Sequence, residues 1–172
     1  MSTINASTIQ RNLVCFQIRM LDNVDFGSGT SFSTGTNCFD TSAVEFNNGG
    51  FTFDTNGVTF PETGYYIIGA SLYYQAATAG SSNDRICPEM KFYNHTQDAN
   101  LNGTNGSVAA MGYCRNLSNS GNSGPRNSSS MITQIVSLTA NDKIKIRMKR
   151  GADSGIEADI ESDSCMWGIK LQ

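Results

Sequence analysis

The sequence predicts an all-β protein, a two-sheet antiparallel sandwich or jelly roll of about ten short strands. Three observations predict it. Hydrophobic residues make up 38% and charged residues only 16% of the 172-residue chain. The balance is Asn, Ser, Thr and Gly, which favour turns because Ser and Asn compete for backbone hydrogen bonds and Gly is conformationally free. No window carries apolar residues at i, i+3, i+4 and i+7, the spacing of a core-facing helix. Short β-compatible runs alternate instead with Asn-Gly, Gly-Gly and Pro-containing turn signals, the pattern of a sandwich or barrel.

Residues 1–12 read as a polar extended arm, with Ile4 and Ile9 as its docking residues, and residues 13–172 as one domain. Val14 to Met20 alternates, placing Val14, Phe16, Ile18 and Met20 inward. After a Gly/Ser/Thr-rich loop over 22–37 come Phe39, Phe46, Phe51 and Phe53, separated by hairpin signals at Asn47 to Gly50 and at Asn56-Gly57. Beyond the central strand lie a loop over 76–84 and a strand over 85–93, to which Ile86, Met90 and Phe92 contribute core. A loop over 94–106, a short strand over 108–114 and a third loop over 115–129 follow. Strands over 131–138 and 143–148 are joined by a turn at Ala140-Asn141-Asp142, and strands over 156–160 and 165–171 close the domain.

The central strand, Gly64 to Gln75, is the longest β-compatible run. It reads Tyr66, Ile68, Ala70, Leu72 and Tyr74 on one face and Tyr65, Ile67, Gly69, Ser71 and Tyr73 on the other. A half-buried strand alternates apolar with polar, so one that is largely apolar on both faces is covered on both. A small sandwich has one interior. The second face is therefore expected to meet another subunit.

A net charge of −3 and a pI near 5.0 give no electrostatic case for nucleic acid, which usually shows a concentrated basic face. No apolar run has membrane-spanning length. The N-terminal residues show neither a basic n-region nor a hydrophobic h-region, and synthesis in a cytosol is the expectation. The five cysteines, Cys15, Cys38, Cys87, Cys114 and Cys165, are odd in number and widely spaced, without C-x-x-C. Free thiols are the favoured reading and a Cys87–Cys114 disulfide the minor one. Six N-x-[ST] sequons, Asn94 among them, are largely what an Asn/Ser/Thr-rich chain produces by chance. His95 is the single histidine and sits in a polar loop; with no G-x-S-x-G and no glycine-rich phosphate loop, no enzymatic function, cofactor or metal is expected.

Charges alternate near the C-terminus. Lys143, Lys145, Arg147 and Lys149 share one face of a strand, and Glu157, Asp159, Glu161 and Asp163 one face of the next segment. Two arrangements stay open: a hairpin that opposes the two ladders, with each opposite-charge pair adding about 0.2–1 kcal/mol, or solvated and inter-subunit charges. A calcium site over Glu157–Asp163 is the lesser reading beside plain surface, because the segment lacks the glycine-containing loop of a calcium motif.

The C-terminal stretch from Leu138 to Leu171 resembles the end of the complement component 1q globular head, one of the TNF-like trimeric jelly rolls. Leu138, Asp142, Ile144 and Ile146 fit the pattern L-x-x-G-D-x-V-x-[LV]. Gly155, Ile156, Ala158 and Asp159 fit a G-L-x-A-D segment, and Ser164, Gly168 and Leu171 fit S-x-F-x-G-x-x-L. Val58, Gly64, Tyr66 and Ile68 meet F-x(5)-G-x-Y-x-F, with Phe51 at the upstream aromatic position. Departures are Val58 and Ile68 for Phe, Asn141 for Gly, Met166 for Phe, and Phe46 where Asn or Asp is usual.

The resemblance implies a homotrimer whose inner sheet carries the first, central and last strands. Phe16, Ile18, Tyr66, Ile68 and Leu72 are then assigned to the core, and Tyr65, Ile67, Tyr73 and Trp167 to the threefold interface, where aromatic residues are favoured. The functional expectation is a non-enzymatic trimeric virion surface protein, either a capsid decoration or cement protein or a fibre or spike knob. Its partners would be a capsid or other virion protein and a surface glycan or receptor. The alternative is a soluble, lectin-like or pattern-binding recognition module working through its long loops.

Overall fold

The computed structural model describes residues 13–21, 24–25, 39, 44–76, 85–86, 88–101, 110–111, 114–117, 124–126, 128–150 and 158–171. Among these there is no helix. Strands β1 (Cys15–Arg19), β2 (Val24–Asp25), β3 (Val44–Asn48), β4 (Thr52–Asp54) and β5 (Gly57–Thr59) lead to the thirteen-residue β6 (Gly64–Ala76). Next come β7 (Arg85–Ile86), β8 (Pro88–Asn94), β9 (Ala99–Asn100), β10 (Ala110–Met111), β11 (Cys114–Leu117) and β12 (Gly124–Arg126). The series ends with β13 (Ser128–Leu138), β14 (Lys143–Arg150), β15 (Ala158–Ile160) and β16 (Cys165–Lys170).

Two antiparallel sheets form the sandwich. The inner sheet runs β13-β6-β16-β1-β3, with β15 and β2 continuing the ladder beyond β16 and β1. The outer sheet runs β8-β14-β5-β4, with β9 and β10 on the free edge of β8. A small third sheet, β12-β11-β7, lies beside β6. The jelly roll expected from the turn-punctuated strands is therefore present, and β1, β6 and β16 are adjacent in one sheet.

Between the two sheets, alternate positions meet. Phe16 and Ile18 of β1 and Met20 just after it, Tyr66, Ile68, Ala70, Leu72 and Tyr74 of β6, and Ile144, Ile146 and Met148 of β14 are all buried. Phe39 and Phe51 join them. At one end the aromatic rings interlock, Phe16 to Phe51 at 4.7 Å, Phe51 to Phe60 at 5.3 Å and Phe60 to Tyr66 at 4.8 Å between centroids. The Tyr66 hydroxyl leaves the apolar interior by donating to the Glu62 carbonyl at 2.7 Å, and burial raises its pKa.

Turn chemistry fixes the same end. Between β13 and β14, Asn141 takes a left-handed φ of 73°, a conformation Asn tolerates and Gly adopts freely. That accounts for Asn at a position where the resembled pattern has Gly. The buried Asp142 carboxylate accepts the Thr139 N–H at 2.8 Å and the Gln97 amide at 3.0 and 3.1 Å. The neighbouring turn is tied in as well, because the Thr96 hydroxyl accepts the Lys143 N–H at 3.0 Å and the His95 N–H donates to the Lys143 carbonyl. His95 itself is exposed.

Several expectations are corrected. The run over 85–93 is two strands in different sheets, β7 and β8, because pairing leaves β8 beside β14 and β7 beside β11. Part of the segment read as a loop over 115–129 forms β11 and β12. The opposed-ladder hairpin does not form: β14 pairs with β8 and β5 in the outer sheet, whereas β15 pairs with β6 and β2 in the inner one. Lys149 meets Glu89 at 3.1 Å and Lys143 meets Asp54 at 2.5 Å instead. The Lys143 ammonium, through its hydrogen bond, holds the Asp54 carboxyl below its ordinary pKa. Phe46, one of four aromatic residues to which the sequence assigned no place, is 51% exposed on an edge strand.

The left-handed turn gives a direct test. Asn141→Ala should lower stability by about 1–2 kcal/mol, the cost of a Cβ in this region without Asn's tolerance for it, whereas Asn141→Gly should match or exceed the parent. Urea unfolding of the three proteins checks this; equal midpoints for Ala and Gly would show that the turn is not conformationally demanding.

Candidate functional site

The most distinctive surface is the outward face of the inner sheet. Its strands place residues there by alternation with the core positions, and cross-strand register assembles them into rows. One row reads Ile135, Ile67, Ile169 and Cys15 across β13, β6, β16 and β1. The next reads Thr133, Gly69, Trp167, Gln17 and Phe46. Met131 stands in line with Ser71 and Cys165, and Tyr65 lies beside Ser137.

This face is open and largely apolar. Ile135 is 68% exposed, Met131 69% and Tyr65 56%, and Leu171 and Phe46 are also exposed. Ile67, Tyr73, Trp167 and Ile169 are half-buried. Phe46, Trp167, Ile169, Cys15 and Gln17 line a groove of about 380 Å³ over β1. Apolar patches of this extent on a small protein mark contact surfaces. Burial raises the pKa of the Cys15 thiol, so at neutral pH it behaves as a small apolar group rather than a nucleophile.

Trp167 is held flat on the sheet by a missing side chain. A Cβ on Gly69 would run into the indole of Trp167, so the glycine makes a seat for the ring. On the opposite side of the same strand, Gly168 leaves room for the Phe16 ring. Above Trp167, Ser164 is buried, and its hydroxyl accepts the Tyr73 N–H at 2.9 Å where β6 passes from β16 to β15. The carbonyl of Ser164 accepts the Met20 N–H at 2.9 Å, which ties the end of β1 to the same point.

Four residues assigned by sequence to an interface thus occupy one face: Tyr65, Ile67 and Tyr73 on β6 and Trp167 on β16. The five assigned to the core, Phe16, Ile18, Tyr66, Ile68 and Leu72, lie between the sheets. Sequence reading missed Met131 and Ile135, which are among the most exposed apolar side chains of the described residues. The available signal was the same as in β6, since Met131 to Leu138 carries apolar residues on both alternating faces. Ile4 and Ile9 of the arm, Cys38, Cys87 and the Glu157 end of the acidic segment lie outside the described residues. Cys15 and Cys165 are free thiols. Among the described residues no group of His, Cys, Asp and Glu is arranged to hold a metal ion. The Asn94 sequon is sterically closed, because its side chain is buried and accepts the Gln97 N–H.

The opposite surface, on the outer sheet, is charged. Lys143, Lys145, Arg147 and Lys149 alternate with buried Ile144, Ile146 and Met148 along β14, so the net charge of −3 conceals a basic face.

Trp167 is the only tryptophan in the chain, so its fluorescence reports on the inner-sheet face alone. Gly69→Ala should unseat the indole, shift its emission and cost about 1–3 kcal/mol, as overpacking does. Unchanged emission and stability would show that the ring has another resting place.

The sequence matches no protein-family model and no curated protein. Solved structures are similar in fold. An Eiger TNF from S. frugiperda superposes with a TM-score of 0.53 at 16% identity, over 93% of this chain and 93% of that chain. Murine APRIL at pH 5.0 gives 0.56 at 10% identity, and murine APRIL at pH 8.5 gives 0.55 at 10%, each over 93% of this chain and all of the other. Identity this low speaks to architecture alone. The chain has the TNF-like jelly-roll fold.

Proposed function

We propose that the chain is a non-enzymatic, homotrimeric jelly-roll module that acts by assembly and adhesion on the surface of a virion. One observation carries the assembly: the inner sheet presents Ile135, Ile67, Ile169, Tyr65, Met131 and Trp167 outward, on the face away from the core. Fully burying an Ile or Phe side chain contributes about 1.5–3 kcal/mol. Covering several such side chains with a second copy is therefore a strong drive to associate. The half-buried Trp167 and Tyr73 suit an interface, where aromatic residues are enriched.

The virion setting is supported by composition. A Ser/Thr/Asn/Gly-rich composition suits a decoration or cement protein or a fibre knob. Free Cys15 and Cys165 suit synthesis in a reducing cytosol. The arm over residues 1–12, with Ile4 and Ile9, is assigned the docking contact with a capsid or other virion protein.

Light scattering on the purified chain at micromolar concentration should give three times the subunit mass of 18.5 kDa. Ile135→Lys should give a folded monomer, recognised by subunit mass and an undiminished β spectrum, with Trp167 emission shifted to the red. A monomeric parent, or a variant that stays trimeric, would overturn the assembly reading. Removing residues 1–12 should abolish binding to particles while leaving the trimer intact; unchanged particle binding would overturn the docking role.

A further inference from the structure

The outward face of the inner sheet carries a projection at one side and a groove at the other. Among the described residues, β13 pairs with β6 and stands at one side of the sheet, whereas β3 pairs with β1 and stands at the other. On β13, Ile135 and Met131 point outward and are 68% and 69% exposed. Strand alternation places Thr133 and Ser137 on either side of Ile135 on that face, and both are exposed. The outward set of β13 over 131–137 holds no charged side chain. Ile135 can therefore enter an apolar surface without drawing an ionised neighbour out of water, which is costly.

The groove lies over β1. Sheet order puts β1 three strand spacings from β13, about 14 Å. Trp167 and Ile169 of β16 border it on one side and Phe46 of β3 on the other, with Cys15 and Gln17 of β1 between them, around a volume of about 380 Å³. The seat that Gly69 makes for the Trp167 indole draws that ring toward β6 and leaves the space above Gln17 open. No charged side chain lines the groove. Arg19, the next outward residue of β1, is paired with Glu45 at 2.7 Å.

We propose that the occupant of this groove is a second copy of the chain, with Ile135 of one subunit seated between Trp167 and Phe46 of the next. This rests on the homotrimer of the proposed function. Around a threefold axis every contact is heterologous, so each subunit offers one surface to one neighbour and a different surface to the other. The inner sheet has two such surfaces, complementary in shape and alike in polarity. A small apolar ligand would fill the groove and leave Ile135 in water; a second copy covers projection and groove together. Gln17, the polar side chain of the lining, then meets the Thr133 and Ser137 hydroxyls that flank the incoming Ile135, as a newly buried amide requires.

Paired cysteines test the contact. Within one subunit, positions 46 and 135 are four strand spacings apart, about 19 Å, beyond the reach of a short bismaleimide. Phe46→Cys/Ile135→Cys treated with that reagent should give a covalent trimer on a denaturing gel, with the 46–135 peptide pair identified by mass spectrometry. Ile135→Lys and Phe46→Lys should each be monomeric by light scattering, because each has lost one of the two surfaces. Mixed in equal amounts, they should form a complex of twice the subunit mass, since one intact projection and one intact groove remain between them. Lys145→Gln, on the outer sheet, should stay trimeric. Thermal melts confirm that each variant is folded, and the crosslink decides the matter if a lysine variant is not. A monomeric parent overturns the trimer and this contact together. A trimeric parent with no 46–135 link, a link that ends at a covalent dimer, or a Phe46→Lys variant that stays trimeric overturns the seated contact alone.

Discussion

The structure depends on one strand having to satisfy two environments. β6 is thirteen residues long, hydrogen-bonded along one edge by β13 and along the other by β16 and then β15. Its inward side chains, Tyr66 through Tyr74, fill the sandwich. Its outward side chains cannot be accommodated there, because a strand's two faces point apart. The rows that pass through Ile67 and Gly69 continue across the sheet from β13 to β3, the second of them ending on Phe46. A monomer with this fold leaves that surface in water; an assembly does not.

The two ends of the sandwich are built on different chemistry. At the Asp142 end, buried aromatic rings, an Asn in the left-handed region and a carboxylate accepting three hydrogen bonds hold the turns together. A buried carboxylate is stable there because its lone pairs are satisfied. At the far end an ion pair takes over, Lys149 of β14 meeting Glu89 of β8 at 3.1 Å. The proposed assembly through the inner sheet would leave the outer sheet free.

Alternation, turn residues and motif order made the sandwich legible from sequence. The inward sets of β1, β6 and β14 follow from period-two patterning, and Asn141-Asp142 announces its turn because few residues accept that geometry. The apolar outward face was legible on β6 and β16, where Tyr65, Ile67, Tyr73 and Trp167 stand against the usual alternation. It was equally present in Met131 and Ile135, but a Thr and a Ser in the same alternating set diluted the signal.

Sequence alone determined which residues pair with the core, because burial period is a local property of a strand. Only tertiary structure decided which strands are neighbours. Nothing local says that Lys149 faces Glu89 rather than the 157–163 segment, that Phe46 lies on an exposed edge, or that Ser164 reaches Tyr73 across 91 positions. Nor could the net charge reveal that residues 85, 115 and 126 fall in one row. Register and sheet order are set by long-range packing of whole faces, in which shifting a strand by one residue exchanges its two surfaces, and that information belongs to the assembled sandwich.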